Sequence, residues 1–349
     1  MSEFHLLSIS ELKKETPNAV CITFDIPSHL VETFKFKAGQ YITLKTELNG
    51  QEVRRAYSLC SSPESGTWSV GVKKVEGGTF SVFANDVLKV GDTLEVMLPE
   101  GNFMFEPQQN ESRHYAAFAA GSGITPVLSI IKDVLEREPQ SRFTLVYGNK
   151  SKVETMFFDQ LELLKESFSD RLIVEYIFSQ SEEQNAMRGR IDRSVVNYLL
   201  KNRFQDFSFD RYYLCGPEEM INVVSETLKS RGVNGEHILF ELFTTSEEGE
   251  LKESHEGNTQ ITIIVDDETE TFTMSQEQSV LDAALDQDLD PPYSCQGGIC
   301  SSCIARVKEG KVEMRKNQIL TDSELEEGLI LTCQSHPTTT TLVVDYDDV

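Results

Sequence analysis

Four cysteines near the carboxyl end of the chain have a spacing that suits metal chemistry. Cys295, Cys300 and Cys303 follow a C-x4-C-x2-C pattern, and Cys333 follows after twenty-nine intervening residues. Three close thiols with a distant fourth are an arrangement that holds a [2Fe–2S] cluster, which accepts and releases one electron at a time. The alternatives are a structural zinc site or a CxxC redox pair, although zinc sites more often contain two matched CxxC-type pairs.

The size and composition of the chain are those of a globular protein of several domains. Its 349 residues suffice for two or three domains. No stretch approaches twenty apolar residues and the first residues lack a charged-then-apolar pattern, so we expect neither a transmembrane helix nor a secretion signal. The other cysteines, Cys21, Cys60 and Cys215, are widely scattered. This scatter argues against a disulfide framework and predicts a cytoplasmic location.

The charge of the chain limits its partners. The net charge is −25, and residues 260–349 contain eighteen Asp and Glu against five Lys and Arg. We therefore expect neither nucleic acid nor an anionic membrane surface as a partner. A redox partner with a basic surface would suit the acidic C-terminal region through electrostatic steering. Alternatively, the acidic surface serves only solubility.

Hydrophobic patterning predicts a multidomain fold. Residues 1–107 contain short runs of alternating or β-branched residues, which predict an antiparallel β-barrel with one helix at 79–88. Residues 108–243 alternate apolar strands with helix-like segments, which predicts an α/β doubly wound parallel sheet. The polar residues 244–259 predict a flexible linker. Residues 260–349 predict a third, α+β domain with a mixed sheet and one helix.

The third domain contains local signals for its elements. The segments ITIIV and ETFTM flank a DDET turn and predict a hairpin, and Ser279 with Asp282 has the spacing of a capping box before a helix. After the cysteine loop, IARV and VEM on either side of KEGK predict a second hairpin. The LILTC segment contains Cys333.

Two motifs in the first domain suit a flavin dinucleotide. Arg55, Tyr57 and Ser58 could supply a cation for its pyrophosphate, a flat surface for its rings and a small donor near its reactive nitrogen. The segment GGTFS at 77–81 precedes a helix, whose free N–H groups could bind phosphate. Alternatively, the first motif is an ordinary barrel strand and the second is a turn with a helix cap.

Two further motifs, in the second domain, suit a nicotinamide dinucleotide. GSGITP at 121–126 joins a strand to a helix and could present N–H groups to a phosphate. CGPEEM, which begins at Cys215, lies at an equivalent strand-to-helix junction and could place a thiol beside a nicotinamide. The alternative is that Cys215 is a small buried residue that ends a strand.

Three cations could select the phosphate-bearing form of the dinucleotide. Lys150 follows one predicted strand, and Arg188 and Arg190 follow the next. NADP needs cations at its 2′ position, so we predict NADPH rather than NADH as the electron donor. Alternatively, all three are solvated surface charges.

The motifs RAYS, GGTFS, GSGITP, YGNK and CGPEEM occur in this order. With them, the first 243 residues resemble the ferredoxin–NADP reductase superfamily. The last ninety residues, with PYSCQGGICSSC and Cys333, resemble a plant-type ferredoxin of the β-grasp fold. One position differs, because many NADP-specific relatives have Arg after the Ser of the third parallel strand and this chain has Ser179-Gln180.

The resemblance implies FAD, NADP(H) and a [2Fe–2S] cluster as cofactors, and it implies residue roles. The implied FAD-binding residues are Arg55, Tyr57, Ser58, Gly78, Phe80 and Ser81, with Glu241 and Phe243 near the flavin ring. The implied nicotinamide dinucleotide site contains Gly121, Thr125, Asn149, Lys150, Arg190, Cys215 and Gly216. The candidate catalytic residues are Ser58, Cys215 and Glu241, and the implied cluster ligands are Cys295, Cys300, Cys303 and Cys333.

The resemblance also implies a function. The chain would be an NAD(P)H-dependent oxidoreductase that passes electrons from NADPH through FAD and the cluster to an oxygenase component of the di-iron type. One alternative is the reductase of another monooxygenase or of a desaturase. An alternative of another class is a non-catalytic electron-carrier or docking protein.

Overall fold

The computed structural model describes residues 4–108, 111–243 and 257–349. They form two compact units, one that holds almost all of residues 5–243 and one that holds residues 257–349. Most of the predicted linker, residues 244–256, lies outside the described residues. Its predicted end at 259 was too late, because Asn258 and Thr259 already pair within the first strand of the C-terminal unit.

The N-terminal part of the first unit is the predicted antiparallel barrel. Alternate residues of its second strand, Val20, Ile22 and Phe24, are buried, as expected for a strand with one face toward a core. The six strands are ordered β4-β3-β6-β1-β2-β5, and Leu59 just after β4 bridges to Val70 in β5, so the two ends of this order meet. The elements are β1 (Phe4–Thr16), β2 (Ala19–Asp25), β3 (Tyr41–Leu48), β4 (Gln51–Ser58), β5 (Trp68–Lys73), α1 (Thr79–Asp86) and β6 (Thr93–Met97).

The second part of this unit is the predicted doubly wound parallel sheet. Its strand order is β10-β9-β8-β7-β11-β12. Strands β8, β9 and β10 are added in turn on one side of β7, and β11 and β12 are added on its other side. The direction of strand addition therefore reverses between β7 and β11. The elements are β7 (His114–Ala120), α2 (Ile124–Arg137), β8 (Arg142–Asn149), α3 (Phe158–Ser167), β9 (Leu172–Phe178), β10 (Ala186–Arg188), α4 (Arg193–Tyr198), β11 (Arg211–Cys215), α5 (Glu218–Ser230) and β12 (Ile238–Glu241).

The barrel and the parallel sheet pack closely at Gly71 in β5. A Cβ atom there would lie 2.7 Å from Thr125 Cγ2 and 2.9 Å from Met156 Cε. Only glycine therefore permits the observed approach between β5 and the start of α2. This contact brings the barrel against the end of the parallel sheet that carries its Gly-rich loop.

The C-terminal unit is the predicted mixed sheet. Its order is β14-β13-β19-β15-β17, with β13 and β19 parallel and the other pairs antiparallel. The first predicted hairpin is confirmed, and Asp266 and Asp267 form its turn with positive φ angles. The elements are β13 (Asn258–Val265), β14 (Glu268–Ser275), α6 (Val280–Leu285), β15 (Ile304–Glu309), β16 (Val312–Met314), α7 (Asp322–Glu326), β17 (Leu329–Leu331), β18 (Ser335–Pro337) and β19 (Thr341–Asp345).

Two predictions for this unit need correction. The second hairpin was wrong, because β15 pairs with β17 and β19, whereas β16 pairs with β18. The chain turns at Gly310 with φ of +89°, and a Cβ atom there would lie 2.3 Å from the Thr341 carbonyl oxygen. This contact places the turn against the start of β19, and the β16 strand that follows pairs with β18. The unit also has a second short helix, α7, where one helix was predicted.

Candidate functional site

The two Gly-containing loops of the parallel sheet meet where its strand order reverses. One loop follows β7 and the other follows β11. A Cβ atom on Gly123 would lie 2.1 Å from the Cys215 carbonyl oxygen, and one on Gly216 would lie 3.1 Å from the Ala120 nitrogen. The loops touch because neither glycine has a side chain. Ligands of open α/β sheets bind in the crevice at such a reversal, beyond the carboxyl ends of the strands.

A buried acid lies at this end of the sheet. Ser58, the last residue of β4, donates a hydrogen bond from Oγ to Glu241 Oε2 at 2.9 Å. Glu241 ends β12 and pairs with Cys215 of the neighbouring strand β11. The structure thus brings together the three residues predicted to be catalytic, although they lie far apart in the sequence.

Burial determines the protonation of this group. It raises the pKa of Glu241 to about 8, and the Ser58 hydroxyl opposes the rise. Burial also raises the pKa of the Cys215 thiol, and the charge of Glu241 adds to that effect. At neutral pH the carboxyl and the thiol are therefore both neutral. A neutral carboxylic acid can hold a proton beside a redox-active ring and donate it.

The predicted flavin residues differ in what their side chains can do. Tyr57 is half-buried, and its ring lies 5.4 Å from the Phe80 ring. Phe80 is 1% exposed, so its side chain belongs to the barrel core and only its backbone could reach a ligand. Ser81 Oγ accepts a hydrogen bond from the Val75 nitrogen at 3.1 Å, which stabilises the turn before α1.

The remaining predicted flavin residues lie on the barrel surface or at the end of the parallel sheet. Arg55 is exposed in β4 and donates from Nη1 to the Arg54 carbonyl oxygen at 2.7 Å. Gly78 caps α1, and a Cβ atom there would lie 2.5 Å from Ser81 Oγ. Phe243 is half-buried and packs against the core of the parallel sheet.

The predicted dinucleotide loop is held by side chains beneath it. Gly121 has a φ of +56°. Its carbonyl oxygen accepts a hydrogen bond from the Tyr147 hydroxyl at 2.9 Å. Thr125 is 1% exposed and donates to the Ser122 carbonyl oxygen at 3.0 Å, so its hydroxyl shapes the loop rather than pointing to solvent. These contacts fix the loop with its N–H groups at the start of α2.

Unsatisfied polar groups lie at the ends of β8 and β9. The Asn149 amide lies beside the Tyr147 hydroxyl. Its oxygen and nitrogen are both buried, yet they make no hydrogen bond of normal geometry within the described residues, and the same holds for Ser181 Oγ. Buried polar atoms without partners are rare in native proteins. Such atoms beyond the carboxyl ends of parallel strands fit a site that a polar ligand completes.

The predicted cations lie near these groups and differ in their partners. The Gln180 nitrogen donates to the Lys150 carbonyl oxygen at 2.8 Å, so Lys150 and Gln180 are neighbours. Arg188 forms an ion pair with Glu182, whereas Arg190 is exposed. The Lys150 backbone therefore lies next to Gln180, the position where the resemblance places an Arg in many NADP-specific relatives.

Sequence reasoning missed Lys73, the last residue of β5. A Cβ atom on Gly121 would lie 3.4 Å from Lys73 Nζ, so this ammonium lies against the predicted dinucleotide loop. Burial lowers its pKa, with Glu154 and Lys150 acting in opposite directions. The GVKKV segment contained the lysine, but nothing in the sequence indicated that the barrel places it beside a loop of the next domain.

The four C-terminal cysteines form two pairs in the structure. Cys295 lies beside Cys300, and Cys303 lies beside Cys333. The Gly297 nitrogen donates to Cys295 Sγ at 3.4 Å. The Cys300 thiol, together with backbone N–H groups, lowers the pKa of Cys295 to about 6.

This donor set fits a two-iron cluster. Within the described ranges, no three His, Cys, Asp or Glu side chains surround one point as a single-ion site requires. A [2Fe–2S] cluster has four cysteine ligands for two irons. Two neighbouring pairs of cysteine sulfurs, one pair for each iron, therefore fit this ligand set.

Comparisons with known proteins assign the three regions. Residues 7–105 match the oxidoreductase FAD-binding domain, residues 118–226 the oxidoreductase NAD-binding domain and residues 263–338 the 2Fe-2S iron-sulfur cluster binding domain. The chain is 40% identical to a component protein of the 1,2-phenylacetyl-CoA epoxidase of Escherichia coli K12, over 99% of both chains. The chain belongs to the ferredoxin–NADP reductase superfamily, in its iron–sulfur-fused branch.

Other members of this superfamily support the same domain order. The chain is 30% identical to the ferredoxin reductase component of 3-ketosteroid-9-alpha-monooxygenase from Rhodococcus rhodochrous, over 98% of this chain and 96% of the relative. Phthalate dioxygenase reductase has the same fold, with a TM-score of 0.61 and 24% identity over 98% of both chains. An intact type IV self-sufficient cytochrome P450 monooxygenase matches with a TM-score of 0.71 and 25% identity, over 98% of this chain and 41% of that protein.

The predicted enzyme class and the FAD, NAD(P)H and [2Fe–2S] cofactors are thereby confirmed, and the choice of NADPH over NADH stays a prediction. This superfamily member is an NAD(P)H-dependent oxidoreductase with FAD, NAD(P)H and [2Fe–2S] cofactors, and it is a reductase component of a multicomponent oxygenase. None of the helices in residues 4–108, 111–243 and 257–349 is long and apolar enough to cross a bilayer.

Proposed function

We propose that this reductase supplies electrons from NADPH to an epoxidase that acts on phenylacetyl-CoA, through an oxygenase component of the di-iron type. The main observation in support of the electron-transfer reaction is the buried hydrogen bond between Ser58 and Glu241, which lies beside Cys215. The likeness to the epoxidase component, 40% against 30% for the ketosteroid relative, favours this partner over a steroid monooxygenase.

The residues have distinct roles in this proposal. When bound, FAD accepts two electrons as hydride and releases them singly, and the cluster carries one at a time. Ser58 and neutral Glu241 hold a proton next to the flavin ring, and Cys215 occupies the nicotinamide side of the crevice. The N–H groups of the loop after β7 bind the dinucleotide phosphates. Cys295 with Cys300, and Cys303 with Cys333, would each hold one iron of the cluster.

Lys150 is proposed to select NADPH. Its backbone bonds to Gln180, the position where many NADP-specific relatives have Arg, and its exposed side chain is proposed to replace that cation at the 2′-phosphate. A hydrogen bond to a charged group contributes about 1.5–3 kcal/mol. Lys150→Ala should therefore raise the KM for NADPH by about tenfold or more and leave the KM for NADH within about twofold.

Arg188→Ala is the matched control, because Arg188 is already paired with Glu182. It should leave both KM values nearly unchanged. Equal rises in both KM values for Lys150→Ala would assign that residue to a shared phosphate instead, and no change would remove it from the site.

The partner is tested by anaerobic mixing. Protein reduced with NADPH is mixed in a stopped-flow instrument with the oxygenase component of a phenylacetyl-CoA epoxidase or with that of a 3-ketosteroid monooxygenase. Rapid cluster reoxidation by the first alone is expected. Reoxidation by the second alone would overturn the proposed partner. Cys303→Ala protein, which lacks a proposed ligand, is the control for cluster-independent transfer.

We further propose a cytoplasmic location and domains at 1–107, at 108–243 and, in place of the predicted start at 260, from 258 to 349. All seven cysteines lie in described residues and none forms a disulfide there, as is usual for a reducing compartment. The strand that starts at Asn258 supports a third domain that begins slightly earlier.

A further inference from the structure

Ser294 has a buried hydroxyl with no partner beside the first proposed cluster ligand. The residue is 1% exposed, and its Oγ makes no hydrogen bond within the residues that the structure describes. Buried hydroxyls are almost always satisfied, because an unsatisfied one is destabilising. The next residue in the chain is Cys295.

We propose that the Ser294 hydroxyl donates a hydrogen bond to sulfur of the [2Fe–2S] cluster and thereby raises its reduction potential. The acceptor is a bridging sulfide, because sulfide is the negatively charged component of the cluster and no cysteine sulfur of the described residues accepts from Ser294. The inference rests on the proposed ligand set, and it assigns to Ser294 a tuning role for the electron-transfer reaction.

Other serines near the cysteines have partners within the protein. Ser335, two residues after Cys333, is fully buried, and its Oγ donates to the Leu331 carbonyl oxygen at 2.8 Å. Ser301 and Ser302 in the cysteine loop also have partners. Ser294 therefore differs from Ser335 in having a proton that no described protein group accepts.

The direction of the effect follows from charge. Reduction adds one electron to the cluster and makes its sulfurs more negative, so a hydrogen-bond donor stabilises the reduced state more than the oxidised state. Backbone N–H groups, including that of Gly297, already donate to Cys295. Ser294 adds a side-chain donor from the residue that precedes this cysteine.

The test compares variants of the full chain that carry all their cofactors. Ser294→Ala should lower the equilibrium constant for cluster reduction about tenfold, which for a one-electron couple is about 59 mV. Ser294→Thr keeps a hydroxyl and should restore most of the change. Ser335→Ala is the matched control and should leave the potential unchanged. Anaerobic redox titration, followed by the electron paramagnetic resonance signal of the reduced cluster, measures each potential.

A second measurement keeps the proposal testable if Ser294→Ala does not load its cluster. Hydroxyl protons exchange with solvent faster than hydrogen-bonded amide protons. After brief exposure of the wild-type protein to D2O, electron–nuclear double resonance of the reduced cluster should show the loss of one strongly coupled proton. Unchanged coupling would overturn the proposal.

An unchanged potential in cluster-loaded Ser294→Ala would also overturn it, and would mean that the hydroxyl binds an internal water. A wrong assignment of the four cysteine ligands would give a different experimental result. In that case the wild-type protein itself, reduced without oxygen, would lack the signal of a [2Fe–2S] cluster.

Discussion

Glu241 should make the stability of the N-terminal unit depend on pH near neutrality. Burial raises the pKa of its carboxyl from 4.5 to about 8, so in this range the folded protein holds a proton that the unfolded chain has released. A group whose folded pKa is raised contributes stability that declines as pH rises through the window between the two values. Both states are protonated below the window, and both are ionised above it.

The magnitude follows from the two pKa values. Between pH 5 and pH 7 the proton linkage of Glu241 should remove about 2.5 kcal/mol from the free energy of unfolding. Glu241→Gln keeps the shape of the side chain and eliminates the titration. The free energy of unfolding of the wild type minus that of the variant should therefore fall by this amount between the two pH values.

Trp68 provides the assay. It is the single tryptophan of the chain, it is buried in the barrel, and its Nε1 donates to the Phe34 carbonyl oxygen at 2.7 Å. Urea unfolding of flavin-free protein, followed by tryptophan fluorescence, measures the free energy at each pH. Glu76 is exposed, and Glu76→Gln should follow the wild-type profile. Parallel pH profiles for wild type and Glu241→Gln would refute a buried, protonated carboxyl.

Three further changes test other parts of the site. Gly123→Ala places a methyl group 2.1 Å from the Cys215 carbonyl oxygen, so it should lower the stability of the fold by about 1–3 kcal/mol in thermal unfolding. It should also raise the KM for NADPH in steady-state kinetics, and an unaltered KM would contradict the crevice as the dinucleotide site. The Lys73 ammonium lies against the loop after β7, so Lys73→Met should raise the KM for NADPH and the KM for NADH severalfold and alike. An effect on the KM for NADPH alone would place Lys73 at the 2′-phosphate. Cys333→Ala removes the donor atom and should abolish the visible absorbance of the cluster. NADPH-driven reduction of a soluble dye should stay within about twofold of the wild-type rate. Retained cluster absorbance would remove Cys333 from the ligand set.

Local pattern was enough to predict the three types of sheet. Alternation in β2, the strand-to-loop-to-helix segments after β7 and β11, and the hairpin at Asp266 and Asp267 all depend on neighbours in sequence. The prediction of a second hairpin in the C-terminal unit was wrong because strand pairing there does not depend on neighbours in sequence. The KEGK segment permits a hairpin, but β16 pairs with β18. In the structure Gly310 of this segment contacts the carbonyl oxygen of Thr341, a residue distant in sequence.

The sequence by itself determined which cofactors this protein can bind. The spacing of the cysteines and the glycine-containing loops are short-range signals, and they indicate the type of group that is bound. Only the tertiary structure decided which groups meet. Ser58 and Glu241 are separated by 183 positions and come within 2.9 Å, and Lys73 of the barrel reaches a loop of the parallel sheet. The raised pKa of Glu241 is likewise a tertiary property, because it arises from the burial that packing of the two sheets creates and not from the residues next to it in the chain.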